Sequence, residues 1–460
     1  MNPSENNPER IHFIAVGGSA MHNLAIALKK KGCIITGSDD EIFEPSKSRL
    51  ERYGLLPDYE GWDPTKITKD LNAVIIGMHA RQDNPELIRA KELGLKVYSY
   101  PEFLYSHAQD KTRVVISGSH GKTTITSMIL HVMNYYKKEF DYMVGAQLEG
   151  FEVMVKLSDT AKVIILEGDE YLTSPEDRRP KFHVYKADIG LISGIAWDHI
   201  NVFPDFQSYL QQFEIFAGMI PANGTLIYCN EDKILKNLIQ QFKPIANCIS
   251  YGIPEYIIEN GQTRIIYSKK EYPLNIFGKH NLLNLEAANK VTNLFGIQKD
   301  AFLTAMGSFM GASKRLELVK KDNNTSVYKD FAHSPSKVKA SINALKELYP
   351  NRQLYACLEL HTFSSLNKSF LSEYHNSMQE ATSAIVYYNE HTIQLKRLET
   401  LNERDIQQAF GSKNILVFKD SAKLQSYLKS QNWKDKNLIL MSSGNFDGLD
   451  FDMLANELIC

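Results

Sequence analysis

The stretch "VVISGSHGKTTITSM", running from Val114 to Met128, limits what this chain can fold into more than any other. A short apolar run ends at Ser117, Gly118 follows, and a second glycine, Gly121, leads into Lys-Thr-Thr and a helix-compatible pattern. A strand that passes through a glycine turn into a helix is half of a βα unit, and such units build parallel sheets. Gly118 and Gly121 can adopt positive φ, so the N–H groups around Ser119 and His120 can converge on an anion. A helix beginning near Lys122 points its N-terminal N–H groups at the same place. The common phosphate-loop spacing, G-x-x-x-x-G-K-[ST], wants glycine five residues before Gly121, where Ile116 stands. The sequence therefore predicts a shortened phosphate loop, Gly118–Thr124. Lys122 would reach the β- and γ-phosphates and the Thr123 hydroxyl would ligate Mg²⁺.

The rest of the chain repeats the pattern. "RIHFIAVGGSAMHNLAIALKKKG" reads as strand, glycine turn and helix, followed by "CIITGSD", "NAVIIGM" and "LKVYSY". Near Asp110 a second set begins, with "RVVISG", "AKVIILEGDE", "ADIGLISGI" and "GTLIYCN". After a small-residue stretch near Ser313 come "TSVYKDFAHSP", "RQLYACLEL", "SAIVYYN" and "NLILMSSG". The expectation is an α/β chain of three domains over 1–109, 110–312 and 313–460. The first and last would be Rossmann-like, and the central one a P-loop ATPase-like parallel sheet.

A phosphate loop needs a metal partner. "AKVIILEGDE" ends its apolar run on Glu167, with Asp169 and Glu170 beyond, and "IGLISGIAWDHI" is followed by Asp198 and His199. Ligands of parallel sheets sit at the carboxyl ends of strands, so Thr123, Glu167 and His199 are the predicted metal set and Lys122, Glu167 and His199 the predicted catalytic set. In the first domain Gly17, Gly18 and Ser19 form the turn into the first helix. Asp39 lies 22 residues after Gly17, where it can contact a ribose or base or simply cap "GSDD".

Bulk properties narrow the class. A net charge of −2 gives no reason to expect nucleic acid. No apolar run reaches the roughly 18–20 residues of a membrane span. The five scattered cysteines lack any CxxC and point to a reducing, cytoplasmic setting.

Taken together, the motifs resemble those of the Mur ligase family, ATP-dependent amide-forming enzymes of peptidoglycan synthesis. The family's short phosphate loop resembles "SGSHGKTT", its metal glutamate Glu167, and its metal histidine His199 in "WDHI". Its adenine motif resembles "GKHNLLNLEAA", with Asn281 and Asn284. Its last-domain arginine resembles Arg315 in "KRLE", and its ribose aspartate Asp330 in "KDFAHSP", with His333 beside the nucleotide. The resemblance implies one domain for a UDP-sugar, one for ATP, and a third that closes over both. Mg²⁺ or Mn²⁺ would be the metal, and a monomer or weak homodimer the assembly. Many members carry a carbamylated lysine fifteen residues after the metal histidine; Glu214 stands there, with a surface helix position as the simpler reading.

Two reactions on UDP-N-acetylmuramate then compete: addition of a tripeptide in cell-wall recycling, and addition of L-alanine. "DDEIFEPSKSRLERYG", "EGDEYLTSPEDRRPKFHVYKA" and "LMSSGNFDG" look more like the peptide branch. In the L-alanine branch a last-domain histidine is followed by two arginines. In "LELHTFSSL" His361 remains, but Thr362 and Ser365 take the arginine positions. Without a bidentate guanidinium clamp on a lone carboxylate, the expectation is a peptide amine. A silent nucleotide-binding regulator and a P-loop ATPase that moves a partner are the rivals from other classes. Intact Lys122, Thr123, Glu167 and His199 argue against the first, and the "GKHN" motif with three ligase-like domains against the second.

Overall fold

A computed structural model describes residues 8–78, 80–148, 150–174, 176–197, 202–259, 261–311 and 315–459. The chain separates into two compact units. One comprises Met1–Ile195, Asn201–Tyr251 and Lys290–Leu294; the other comprises Ala196–Ile200, Gly252–Asn289 and Phe295–Cys460.

The first unit holds two sheets. Strands β1 (Arg10–Ile14), β2 (Ile34–Ser38), β3 (Ala73–Ile76) and β4 (Val97–Ser99) form an all-parallel sheet in the order β2-β1-β3-β4. Its core gathers Ile14, Val74, Leu87 and Ala90. The second sheet contains β5 (Thr112–Ser117), β6 (Asp141–Met143), β7 (Val155–Lys156), β8 (Val163–Glu167), β9 (Ile189–Ile192), β10 (Thr225–Cys229) and β11 (Asn247–Tyr251). Their order is β11-β10-β9-β5-β8-β6-β7, parallel except for the edge strand β7. The central strands are apolar throughout because helices cover both faces of such a sheet. From β5 the chain crosses to β6 on one side, and from β9 it continues to β10 on the other. The boundary between β9 and β5 is therefore a topological switch point, where open parallel sheets leave a crevice for ligands.

The second unit has an antiparallel sheet, β12 (Tyr256–Glu259), β13 (Gln262–Tyr267) and β14 (Lys270–Leu274). It also has a six-stranded sheet of β15 (Glu317–Lys321), β16 (Ser326–Asp330), β17 (Gln353–Glu359), β18 (Ser383–Tyr387), β19 (Leu416–Phe418) and β20 (Lys436–Met441). The order is β15-β16-β20-β17-β18-β19, with β15 alone antiparallel. Segment 252–289 packs with this C-terminal sheet. Side chains explain why. Phe277 belongs to the core that Val338, Ile342 and Leu345 build, Ile258 packs against it, and the Tyr256 hydroxyl donates to Glu347 at 2.6 Å. The β13–β14 turn escaped the sequence reading because it places Ser268 (φ 50°) and Lys269 (φ 63°), not glycine or asparagine, in the left-handed region.

In the turn after β1 the residue with positive φ is Ala15 (φ 68°). The N–H groups of Ala15 and Val16 both donate to the Ser38 carbonyl, which fixes the turn against β2. Gly17 is needed for close approach: its N–H donates to Asp39 Oδ2 at 2.6 Å, and a Cβ there would lie 2.9 Å from the same oxygen. Asp39 thus staples the turn, and also accepts from the Asp40 N–H at 3.0 Å. Gly18 precedes the helix Ser19–Lys31, and both Gly18 and Ser19 are exposed at its N-terminus. Burial pushes the Asp39 carboxyl up to about 6, with Asp40 adding to the rise and the Gly17 N–H opposing it.

A pH prediction follows from Asp39. Its folded pKa exceeds the ordinary value, so the native chain binds more protons here than the unfolded chain between about pH 4 and 6. The stability this group contributes is complete below that window and lost as pH rises through about 6. Asp39→Asn, which does not titrate, should gain on the wild type by on the order of 1 kcal/mol between pH 4 and 8, after allowance for solvent screening. Thermal midpoints of both proteins at the two pH values check this, and a pH-independent difference contradicts it.

Candidate active site

The loop after β5 is built by packing from both neighbours. Val114, Val115 and Ile116 are fully buried. Gly118 (φ 121°) and Gly121 (φ 79°) take left-handed conformations, and Gly121 caps the helix Lys122–Tyr135. A Cβ at Gly118 would lie 2.2 Å from Ser193 Oγ, at the end of β9. The Ser119 N–H donates to the Gly194 carbonyl at 3.0 Å, and the Ser193 hydroxyl donates to the His120 carbonyl. On the other side Ile116 pairs in register with Glu167, the last residue of β8. The residue that replaces the expected glycine therefore continues the strand, and the Glu167 carboxylate emerges level with the loop.

The side chains around this loop form one charged cluster. The Thr123 hydroxyl donates to Glu167 Oε1 at 2.8 Å, and the Gly145 N–H donates to Glu167 Oε2 at 2.7 Å. Lys122 Nζ donates to the Gly118 carbonyl at 2.8 Å and to Glu170 Oε2 at 2.5 Å. Lys181 Nζ lies 2.8 Å from Asp169 Oδ2. Burial lifts Glu167 above the usual carboxylate range, against the pull of the Gly145 N–H, the Thr123 hydroxyl and Lys122. Burial alone would lower Lys122, but Glu170, Asp169 and Glu167 outweigh it and hold the ammonium above its ordinary value. For Asp169, burial and Glu170 push the carboxyl up, but Lys181 and Lys122 together outweigh them and lower it.

Gly145 and Glu170 are site-lining residues that the sequence reading did not assign. Gly145 carries a usable signal, a glycine directly after an apolar strand in "YMVGA"; a Cβ there would lie 2.7 Å from Glu167 Oε1. Thr123 and Glu167 offer hard oxygen donors that suit Mg²⁺, and a buried carboxylate with a raised pKa is a group that a divalent cation would relieve. Asp198 and His199 lie outside the described residues. Glu214 is exposed on the helix Phe206–Met219, as the simpler reading of the sequence expects.

In the second unit Asn281 and Asn284 are buried one turn apart on the helix Lys279–Asn293, and Asn281 Nδ2 donates to the Phe277 carbonyl at 3.0 Å. Asp330 ends β16. It accepts from the Leu316 N–H at 3.0 Å and from the Ser341 hydroxyl. The Arg315 guanidinium stacks 4.8 Å over the Phe331 ring, and His333 Nδ1 lies 2.8 Å from the Phe331 carbonyl oxygen. Burial lowers the neighbouring His280 against the opposing pull of Asp330.

Two of the three residues expected at the amine do local work. Thr362 caps the short helix Phe363–Leu366 by accepting from the Ser365 N–H at 3.0 Å, and the fully buried Ser365 hydroxyl lies 2.9 Å from Thr362 Oγ1. Ser365 is therefore turned away from solvent by the cap it completes. His361 stays partly exposed, 3.7 Å from Glu359 Oε1. The sequence reading passed over Glu359, buried at the end of β17, where it accepts from the Ser442 hydroxyl and, at 2.8 Å, from the Phe446 N–H. The β17 and β20 ends meet here because the strands are neighbours in the sheet.

Residues 10–112 match the catalytic domain of the Mur ligase family, 116–292 the Mur ligase middle domain, and 314–444 the Mur ligase glutamate ligase domain. The chain is 34% identical over 393 residues to the UDP-N-acetylmuramate–L-alanine ligase of Caldicellulosiruptor bescii, covering 81% of this chain and 82% of that one. It is 28% identical over 354 residues to the UDP-N-acetylmuramate–L-alanyl-gamma-D-glutamyl-meso-2,6-diaminoheptandioate ligase of Haemophilus influenzae, covering 74% and 76%. In fold it matches the UDP-N-acetylmuramate-alanine ligase of Thermotoga maritima with a TM-score of 0.69, at 18% identity and 98% of both chains. The chain belongs to the Mur ligase family, the three-domain α/β enzymes that form amide bonds with ATP and release ADP.

Proposed function

We propose that this ligase activates the carboxylate of UDP-N-acetylmuramate with ATP and joins it to the amine of L-alanine. The observation that carries the proposal is the cluster at the ends of β5 and β8, a left-handed glycine loop flanked by Lys122 and by the hydrogen-bonded pair Thr123 and Glu167. The choice of acceptor rests on likeness to ligases named for UDP-N-acetylmuramate, and the choice of L-alanine on the higher identity to an L-alanine ligase. A setting that supplies ATP and a UDP-sugar is the cytoplasm, and among the described residues no helix is long and apolar enough to cross a membrane.

In this reading the loop amides and Lys122 hold the β- and γ-phosphates while the acceptor carboxylate attacks the γ-phosphorus, giving an acyl phosphate and ADP. The amine then attacks the acyl carbon, the C–N bond forms and phosphate leaves. Lys122 and the helix N-terminus offset the charge that spreads over the transferring phosphoryl group. Thr123 and Glu167, with His199, are the residues that would hold Mg²⁺, which supplies charge neutralisation at the phosphates when bound. Gly17, Gly18, Ser19 and Asp39 are proposed for the UDP-sugar, and Asn281, Asn284, Arg315, Asp330 and His333 for the adenosine part of ATP. His361 is proposed for the amine substrate.

One observation favours a second reading, in which the amine is that of an L-alanyl-γ-D-glutamyl-diamino-acid peptide. Thr362 and Ser365 are uncharged side chains, and their hydroxyls hydrogen-bond to one another. A peptide can be held along its length, so that remote binding energy orients its amine without a clamp on a nearby carboxylate.

Lys122→Ala should lower steady-state ADP release at least about a hundredfold without loss of fold, the scale of losing one preorganised charge-stabilising donor. Near-normal turnover in a folded variant contradicts the loop assignment. The amine is decided by kcat/KM for L-alanine and for the tripeptide at the same ATP and Mg²⁺. The first reading expects the higher value for L-alanine; a higher value for the tripeptide overturns it in favour of the second.

A further inference from the structure

Glu170 is a fully buried carboxylate at the phosphate loop that the roles above leave unused. One of its oxygens, Oε2, is 2.5 Å from Lys122 Nζ; the other, Oε1, is 3.5 Å from the Tyr209 hydroxyl. Tyr209, on the helix Phe206–Met219, is itself fully buried, and its hydroxyl lies 2.7 Å from Ser119 Oγ. Lys122 Nζ closes the circuit on the Gly118 carbonyl at 2.8 Å. Loop residues 118, 119 and 122 are thus tied through side chains to one carboxylate and one phenol, which come from two different segments of the chain.

Such a circuit has two opposed effects on a nucleotide. The Glu170 charge repels the incoming phosphates and competes for the lysine, which weakens ground-state binding. The same contact holds a long, four-torsion side chain in one rotamer, so that the ammonium needs no reordering as charge builds on the transferring phosphoryl group. A positioning contact of this kind lowers affinity for ATP and raises the rate of its use. Charge that served binding alone would do the reverse.

We infer that Glu170, tied through Tyr209 to Ser119, is a positioning residue that braces Lys122 for phosphoryl transfer at the expense of ATP affinity. The inference rests on the reading of the loop as the ATP site. Titration calorimetry with a non-hydrolysable ATP analogue and Mg²⁺, run beside kcat for ADP release, tests both.

In Glu170→Gln the analogue should bind about three- to tenfold more tightly, because a repelling charge is gone, while kcat falls at least about tenfold. Glu170→Asp keeps the charge but falls one methylene short, so its Kd should stay within about twofold of wild type while kcat falls. Tyr209→Phe should lower kcat with Kd unchanged. Unchanged or weaker analogue binding in Glu170→Gln, or an undiminished kcat, overturns the inference. Should Glu170→Gln fail to fold, Glu170→Asp decides, and a wild-type kcat there overturns it as well. Lys122→Ala in the same calorimeter separates the two readings. If it leaves analogue affinity unchanged, the loop is not the ATP site. If it weakens binding while Glu170→Gln changes nothing, only the brace fails.

Discussion

The ammonium of Lys122 is the charge on which the rest of this site depends. It sits at the N-terminus of the helix Lys122–Tyr135, donates to the Gly118 carbonyl, and is surrounded by the carboxylates of Glu170, Asp169 and Glu167. Lys122 and Lys181 face the carboxylates of Glu170, Asp169 and Glu167, and burial lifts Glu167 above the usual carboxylate range. A divalent cation beside Thr123 and Glu167 is the group that such a cluster would accept.

The cluster exists because of sheet order. β5 lies between β8 and β9, so the loop after β5 is walled by Glu167 on one side and by Ser193 and Gly194 on the other. Gly118 is fixed by the closeness of Ser193, and Gly145 by the closeness of Glu167. Replacing either would push apart elements whose registers are set by buried apolar strands. The positions that carry the chemistry are therefore held by the packing of the sheet itself.

Much of this was legible in the sequence, for physical reasons that can be named. The parallel strands are short, apolar and followed by glycine turns, so "RVVISG", "AKVIILEGDE" and "NLILMSSG" declare themselves. The glycine turn after β5 was readable because only glycine tolerates the backbone at 118 and 121 at no steric cost. Edge and antiparallel strands were not readable: β12–β14 are half exposed, and their β13–β14 turn uses Ser268 and Lys269 in place of the residues that usually mark one. The left-handed Ala15 was hidden for the same reason, since the strain is offset by two hydrogen bonds to Ser38 that no local pattern reveals. Glu170 and Tyr209 are 39 residues apart, and their meeting, with Tyr209 on Ser119, belongs to tertiary structure alone. The capping of the helix Phe363–Leu366 by Thr362, which accepts from the Ser365 N–H, was within reach, because threonine is a common residue just before a helix.

The account makes one chemical demand above the others: the acceptor carboxylate, and not water or the amine, receives the γ-phosphoryl group. UDP-N-acetylmuramate labelled with ¹⁸O in its carboxylate tests that demand directly when turned over with ATP, Mg²⁺ and the better amine. Mass spectrometry of the released phosphate should find an oxygen from the label, because an acyl phosphate passes it on when the amine displaces phosphate. Unlabelled phosphate accompanying normal amide formation would contradict the account.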